Sequence, residues 1–367
     1  MNSQIQPGAA SISADLRSDT VTRPTPAMYE AMRSAALGDD GLEGDPTVRR
    51  LEALVATRLG KEAGLFVPSA TMGNLLATLA QAGRQEQVIL EAASHMYTSE
   101  RGAATFTGLF YLGVRGEAGA MDLNVLEEAI RPASGRLKTA LLCMETSHNN
   151  AGGAVLSLEH MERVFGMAQH RGIRVHLDGA RLFNAAVALK APVGLLAQYA
   201  DTVSLCLSKG LSAPVGAVLS GPRSTMENAR RLRKMLGGTQ RQAGIMAAAG
   251  IEGVQAMGER LADDHVRAGR LSVALNDLHG NLSASVPDTN IVLVDVSRSG
   301  HDSTVWADEL GKTGVLVRAW GADRIRCVTH RHIDDAALKL AIDAFRRVAE
   351  QLMAVGDSAL PGASTGS

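Results

Sequence analysis

The feature that most constrains this chain is the alternation of short apolar runs with longer helical patterns between Leu65 and Ser220. Leu65–Val67 is apolar and ends at Pro68, and Thr71–Gln81 follows with helical periodicity. Gln87–Leu90, Thr139–Met144, Ile173–Asp178 (IRVHLD), Thr202–Leu207 (TVSLCL) and Pro214–Ser220 (PVGAVLS) read as further strands, and Leu158–Gln169 as a helix. Strand–helix–strand alternation predicts an α/β domain with a mostly parallel sheet. A long helical pattern from Ala243 to about Leu275 comes next. Asn290–Val296, Val315–Val317 and Arg324–Val328 then read as strands, and Ile333–Met353 as a closing helix. These predict a second, smaller α/β domain. The expected division is a large domain over 15–260 and a small C-terminal domain over 261–355. The small, polar stretches 1–14 and 356–367 read as disordered tails.

Composition narrows the function. The 367 residues carry 37 Lys+Arg against 38 Asp+Glu, a formal net charge of -1, so there is no basic field for a nucleic-acid partner. Cys143, Cys206 and Cys327 lie far apart with no C-x-x-C pair. Neither a disulfide scaffold nor a metal site is expected, and the pattern suits a reducing compartment. Met1–Ala14 has no apolar leader core, and no apolar run approaches a membrane span. The expectation is a soluble, cytoplasmic protein without a membrane partner.

Ligands of open parallel sheets sit beyond the carboxyl ends of the strands, so the polar residues found there are the candidates for chemistry. Lys209 directly follows the run Val203–Leu207. It is a candidate Schiff-base nucleophile or a surface lysine at a strand end. Asp178 ends IRVHLD, where a carboxylate needs a cation. Arg181 can supply one as a structural pair, a protonated cofactor ring nitrogen can supply one instead, or Asp178 is a helix cap. Pro68–Asn74 (PSATMGN) leaves a strand and opens a helix, an arrangement that holds a phosphate or is a plain Ser/Thr cap. His95 can stack on a planar ligand, act as an acid/base or lie at the surface. Arg326, in RIRCVTH, clamps a carboxylate or sits on a solvated sheet face. One object would use a lysine, an aspartate, a helix start and an arginine together: pyridoxal phosphate with an amino-acid substrate. Asp178 stands 31 residues before Lys209, room for a helix and a strand. This order of parts matches the aminotransferase-like, fold type I arrangement.

Specific motifs run along nearly the whole chain. They are DLRSDTVTRPTPAM (Asp15–Met28), GDPTV (Gly44–Val48), PSATMGN, ETSHNNAGG (Glu145–Gly153), HLDGARLFNA (His176–Ala185), CLSKGLSAPVG (Cys206–Gly216), DTN (Asp288–Asn290) and RCVTH (Arg326–His330). In them the chain resembles the threonine aldolase family, within the β-eliminating lyase superfamily of pyridoxal-phosphate enzymes. The resemblance implies that Lys209 carries the cofactor and Asp178 holds its ring nitrogen. Thr71, with Ala70 and the neighbouring backbone, would hold the phosphate, and His95 would stack on the ring and take part in proton transfer. Arg181 and Arg326 would bind the substrate carboxylate with Ser18. Arg241 would reach the phosphate of a neighbouring subunit, in a homodimer or homotetramer. The implied reaction is retro-aldol cleavage of an L-β-hydroxy-α-amino acid, such as threonine or allo-threonine, to glycine and an aldehyde. β-Elimination on a related amino acid and a non-catalytic cofactor-binding protein are the alternatives. The chain departs from the family pattern at Leu42, where many members have tyrosine. Ala70 and Ser212 replace usual glycines, and Pro132–Lys138 lacks a histidine that some members carry.

Overall fold

The computed structural model describes residues 14–102, 108–132, 137–278 and 282–357. Most of each expected tail, residues 1–13 and 358–367, lies outside the described residues. At their inner edges the tails are ordered. Ala14 and Asp15 form a short parallel strand with Val315 and Leu316, and the last helix runs on to Asp357.

The described residues divide into two compact units, one of Thr22–Ala262 and one that joins residues 14–21 to residues 263–357. The segment 15–21 thus packs with the C-terminal unit, through a strand pairing that no local pattern announces.

The larger unit is built on seven strands: β1 (Ala63–Val67), β2 (Glu86–Glu91), β3 (Phe110–Val114), β4 (Lys138–Glu145), β5 (Arg174–Gly179), β6 (Thr202–Cys206) and β7 (Ala217–Gly221). Their spatial order is β1-β7-β6-β5-β4-β2-β3. Only β7 runs against its neighbours, pairing antiparallel with β1 and β6. The pairs β2–β3, β2–β4, β4–β5 and β5–β6 are parallel. A sheet covered on both faces must be apolar on both, and every residue of β6 and β7 is buried. Edge strand β3 was not foreseen, because its run FYLGV is half exposed and lacks a buried stretch of its own.

The helices follow their local signals. In α1 (Pro46–Leu59) the Asp45 carboxylate accepts the N–H groups of Thr47 and Val48, Pro46 fits the first turn, and Gly60 closes the end at φ +63°. Val48, Leu51, Val55 and Leu59 repeat at helical spacing and are buried. Each such side chain contributes roughly 1.5–3 kcal/mol on leaving water. Ser69 caps α2 (Ala70–Gln81), and Ser157 caps α3 (Leu158–Gln169). The single long helix expected from Ala243 is two, Gly244–Ala256 and Leu261–Asn276. The break falls at Gly258, where an added Cβ would lie 2.7 Å from the Phe183 ring.

The C-terminal unit holds a four-stranded antiparallel sheet: β8 (Ser283–Ala284), β9 (Ile291–Asp295), β10 (Arg318–Ala319) and β11 (Arg324–Val328), in the order β8-β9-β11-β10. Its core gathers Leu16, Leu271, Val292, Ile325, Trp306 and Phe345. Among the described residues no helix is long and apolar enough to cross a membrane.

Candidate active site

Because six strands of the larger sheet point the same way, their carboxyl ends deliver side chains to one rim. β1 ends at Val67 and feeds α2 through Ser69, whose hydroxyl accepts the Met72 N–H at 3.2 Å. The first N–H groups of α2, those of Ala70 and Thr71, have no intrahelical acceptor, as at any helix start, and there the helix dipole favours an anion. Gly73 lets α2 approach the sheet closely, since a Cβ there would lie 2.7 Å from Ser204 Oγ.

β5 delivers Asp178, which is 2% exposed. Its Oδ1 accepts the Ala180 N–H at 3.0 Å and its Oδ2 the Asn74 amide at 2.9 Å. Burial pushes the Asp178 pKa up and the nearby Glu100 carboxylate adds to the rise, against Lys209 and His95, which lower it. After β2, Ser94 opens the short helix His95–Thr98. His95 Nδ1 lies 2.8 Å from Glu100 Oε1, and that hydrogen bond raises the His95 pKa although burial opposes it. Glu100 also accepts from the Thr71 hydroxyl at 3.3 Å.

β4 ends at Glu145, whose two oxygens accept the backbone N–H groups of His95 (2.6 Å) and Asn149 (2.7 Å). Asn149 Oδ1 in turn accepts from Arg181 Nη1 at 3.1 Å, so the buried guanidinium is held in place. Lys209 follows β6 in a tight loop. Its carbonyl accepts from Thr22 Oγ1 and from the Ser212 N–H, both at 2.9 Å. Ser212 sits at φ +63°, the left-handed region that glycine fills without strain, which accounts for the glycine of the family pattern.

These residues meet. Ala70, Thr71, His95, Asp178, Arg181 and Lys209 line one cavity of about 210 Å³, together with Asn74, Glu100, Glu145 and Asn149. Larger clefts lie elsewhere. One of about 560 Å³ opens where β4 and β5 begin, and among its lining charges Lys138 pairs with Glu86 and Arg171 with Glu127. Arg241 is not part of the cavity wall. Its side chain is 68% exposed, with Nη1 at 3.5 Å from Asp39. Leu42 is 78% exposed and also lies off the wall, so within one chain it does not shape the cavity. Ser18 and Arg326 belong to the C-terminal unit. Ser18 Oγ accepts the Thr20 N–H, and Arg326 is buried on β11 with its guanidinium 5.1 Å from the Trp320 ring centre.

Sequence reasoning passed over Asn74, Glu100, Glu145 and Asn149. Glu145 was findable, because it ends a strand as Asp178 does, and Asn149 lies in the polar turn after it. Asn74 stands in PSATMGN, where its spacing from Ser69 and Thr71 does not mark it as a partner of Asp178. Nothing local marks Glu100.

The donor set fits pyridoxal phosphate. His95, Glu100 and Asp178 each place a side-chain donor atom within 4.8 Å of the others, an accumulation of carboxylate that a protonated ring nitrogen relieves. A helix start for a phosphate and a lysine for a carbonyl carbon stand on the same wall. Fold and site together define a pyridoxal-phosphate enzyme of the aminotransferase-like, fold type I class.

Comparison with known proteins narrows the class. The family model of the beta-eliminating lyases matches residues 15–299. The chain is 42% identical to low-specificity L-threonine aldolase 1 of Arabidopsis thaliana over 91% of its own length and 96% of the plant protein. It is 39% identical to the low specificity L-threonine aldolase of Escherichia coli K12, over 86% of this chain and 93% of that one. The solved threonine aldolase of Leishmania major shares the fold, with a TM-score of 0.78 at 17% identity over 92% of this chain and 99% of that one. The chain belongs to the beta-eliminating lyase family, on its threonine aldolase branch.

Proposed function

We propose that this chain cleaves L-β-hydroxy-α-amino acids, threonine and allo-threonine among them, between Cα and Cβ to give glycine and an aldehyde. The observation that carries the reading is the single cavity in which Lys209, Asp178, Arg181 and the His95–Glu100 pair converge. It is supported by the names of the relatives, which cover nearly the whole chain.

Pyridoxal phosphate supplies an electron sink for negative charge at the substrate Cα. Lys209 carries the cofactor. The Ala70 and Thr71 N–H groups hold its phosphate, and the Thr71 hydroxyl joins them by turning from Glu100. Asp178, as an ionised acceptor, keeps the ring nitrogen protonated. Arg181, fixed by Asn149, directs donors at the substrate carboxylate. Glu100 accepts the Nδ1–H of His95, which leaves Nε2 unprotonated and able to take the β-hydroxyl proton. No histidine stands in Pro132–Lys138, so His95 is the imidazole assigned to this step.

The chain works as a homodimer or homotetramer, with the exposed Arg241 available to a neighbouring copy's phosphate. The compartment is the cytoplasm, in keeping with three buried, unpaired cysteines.

The test is to incubate the holoenzyme with L-threonine, L-allo-threonine and β-phenylserine, and to quantify glycine and aldehyde. Equal amounts of both are expected. A keto acid with ammonia would replace the reading by β-elimination, and no product from any substrate would overturn it.

A further inference from the structure

Behind Asp178 a chain of hydrogen bonds runs into the protein interior. Asp178 Oδ2 is 2.9 Å from Asn74 Nδ2, and Asn74 Oδ1 is 3.1 Å from His176 Nε2. His176 Nδ1 is 2.9 Å from Thr202 Oγ1, which is 2.9 Å from Gln81 Nε2. Asn74, His176 and Thr202 are at most 1% exposed, and they come from α2, β5 and β6.

The direction of the chain is fixed at its near end: Asn74 Nδ2 lies against two carboxylates, Asp178 and Glu100, which only accept, so Asn74 Oδ1 faces His176 and must accept from it. Gln81 Nε2 can only donate, so it gives a proton to Thr202 Oγ1 while its other N–H goes to the Ala77 carbonyl at 2.9 Å. The Thr202 hydroxyl, which still has its own proton to give, donates to His176 Nδ1, because Asn74 Oδ1 takes the one ring proton at Nε2. The neutral ring must carry its proton on Nε2, which donates to Asn74 Oδ1. The Asn74 amide is thereby held so that its nitrogen, and not its oxygen, faces Asp178. Burial holds the His176 pKa down at about 3, so the ring stays neutral and supplies one donor and one acceptor, as the chain requires. The second Asn74 N–H points at Glu100, 3.3 Å away. With the Ala180 N–H on Oδ1, Asp178 receives a donor on each oxygen, and donors to a carboxylate favour its ionised form.

We propose that Asn74 and His176 are positioning residues that hold Asp178 ionised and aimed, so that it can keep the cofactor's ring nitrogen protonated. The inference rests on the reading of Asp178 given under the proposed function. Without His176 the Asn74 amide is free to turn its oxygen toward Asp178, which then gains stability by taking up a proton. A protonated Asp178 can no longer stabilise a positive ring nitrogen.

The test compares the dissociation constants of pyridoxal phosphate and of its 1-deaza analogue, in which carbon replaces the ring nitrogen. Both are measured by fluorescence titration of the apoprotein. In the parent, pyridoxal phosphate binds more tightly than the analogue. Asn74→Ala and His176→Leu are expected to shrink that preference by about tenfold, the worth of one hydrogen bond to a charged group. His176→Gln keeps a donor for Asn74 and is expected to restore most of the preference. With ¹⁵N-labelled cofactor, the ring-nitrogen resonance in Asn74→Ala should move toward the unprotonated position at neutral pH. Should Asn74→Ala not fold, the preference in His176→Leu decides alone. A preference unchanged from the parent overturns the proposal, whether or not both affinities fall together, because packing acts on the two ligands alike. If the parent itself shows no preference, the reading of Asp178 fails first, which is a separate outcome.

Discussion

Lys209 and Asp178 owe their places to the ends of two buried strands, β6 and β5, and so could be read from the chain alone. Each follows an apolar run, and a charged residue at such a point must find a partner. Lys209→Ala is expected to lose the visible absorbance of bound cofactor and to lower turnover by roughly 10³-fold or more, while the apoprotein melts as the parent does. Normal turnover with trapped cofactor would remove Lys209 from its role. Glu100 is the opposite case, because it becomes part of the site only when its carboxylate is brought to His95 in space. The sign of its effect follows from the His95 pKa, which the Glu100 hydrogen bond raises. His95 must be neutral at Nε2 to accept a proton, so kcat/KM should fall as the pH drops through that raised value. The carboxylates acting on His95 are Glu100, Asp178 and Glu145. In Glu100→Gln the acid limb is expected to move to lower pH, and a limb that stays put would show that another group titrates.

At the scale of elements, periodicity and caps were legible, while partners across the fold were not. Helix Leu158–Gln169 coincides with its apolar repeat because Ser157 caps it and Met161, Val164 and Ala168 are buried on one face. The expected helix from Ala243 is two, and Gly258 between them lies against the ring of Phe183, 75 residues earlier in the chain. The loop after β6 shows the same limit. Its sequence displays a serine where relatives have glycine, and the structure supplies the reason, φ +63° at Ser212. Relief of left-handed strain, about 1–2 kcal/mol, exceeds the added freedom of glycine in the unfolded chain, about 0.4–1 kcal/mol. Ser212→Gly should therefore stabilise the protein by about 0.5–1 kcal/mol, and Ser212→Val should destabilise it by more than about 2 kcal/mol. A glycine variant that melts below the parent would show that the Ser212 hydroxyl, 3.4 Å from the Gly210 carbonyl, outweighs the strain.

For the whole molecule, buried neutral histidines tie stability to pH. His176 is depressed to about 3 in the fold, against an ordinary 6.5 in the open chain. Between those values the unfolded state binds a proton that the native state does not, so this contribution is fully present above pH 6.5 and is lost as the pH falls. Relative to their stabilities at pH 7.5, the parent should lose about 2–3 kcal/mol more than His176→Gln on going to pH 4.5, read by denaturant unfolding. Equal losses would mean that His176 is protonated in the native state. The sequence by itself determined the α/β class, the parallel sheet and the candidates at its strand ends. Those depend on local periodicity and on the rule that charge is not left at a buried strand end unpaired. The tertiary structure alone decided that residues 14–21 join the C-terminal unit, that Leu42 faces outward, and that Glu100 and Asn74 stand beside Asp178. These contacts join residues far apart in sequence, and a hydrogen bond or an exposed face leaves no periodic trace in the chain that forms it.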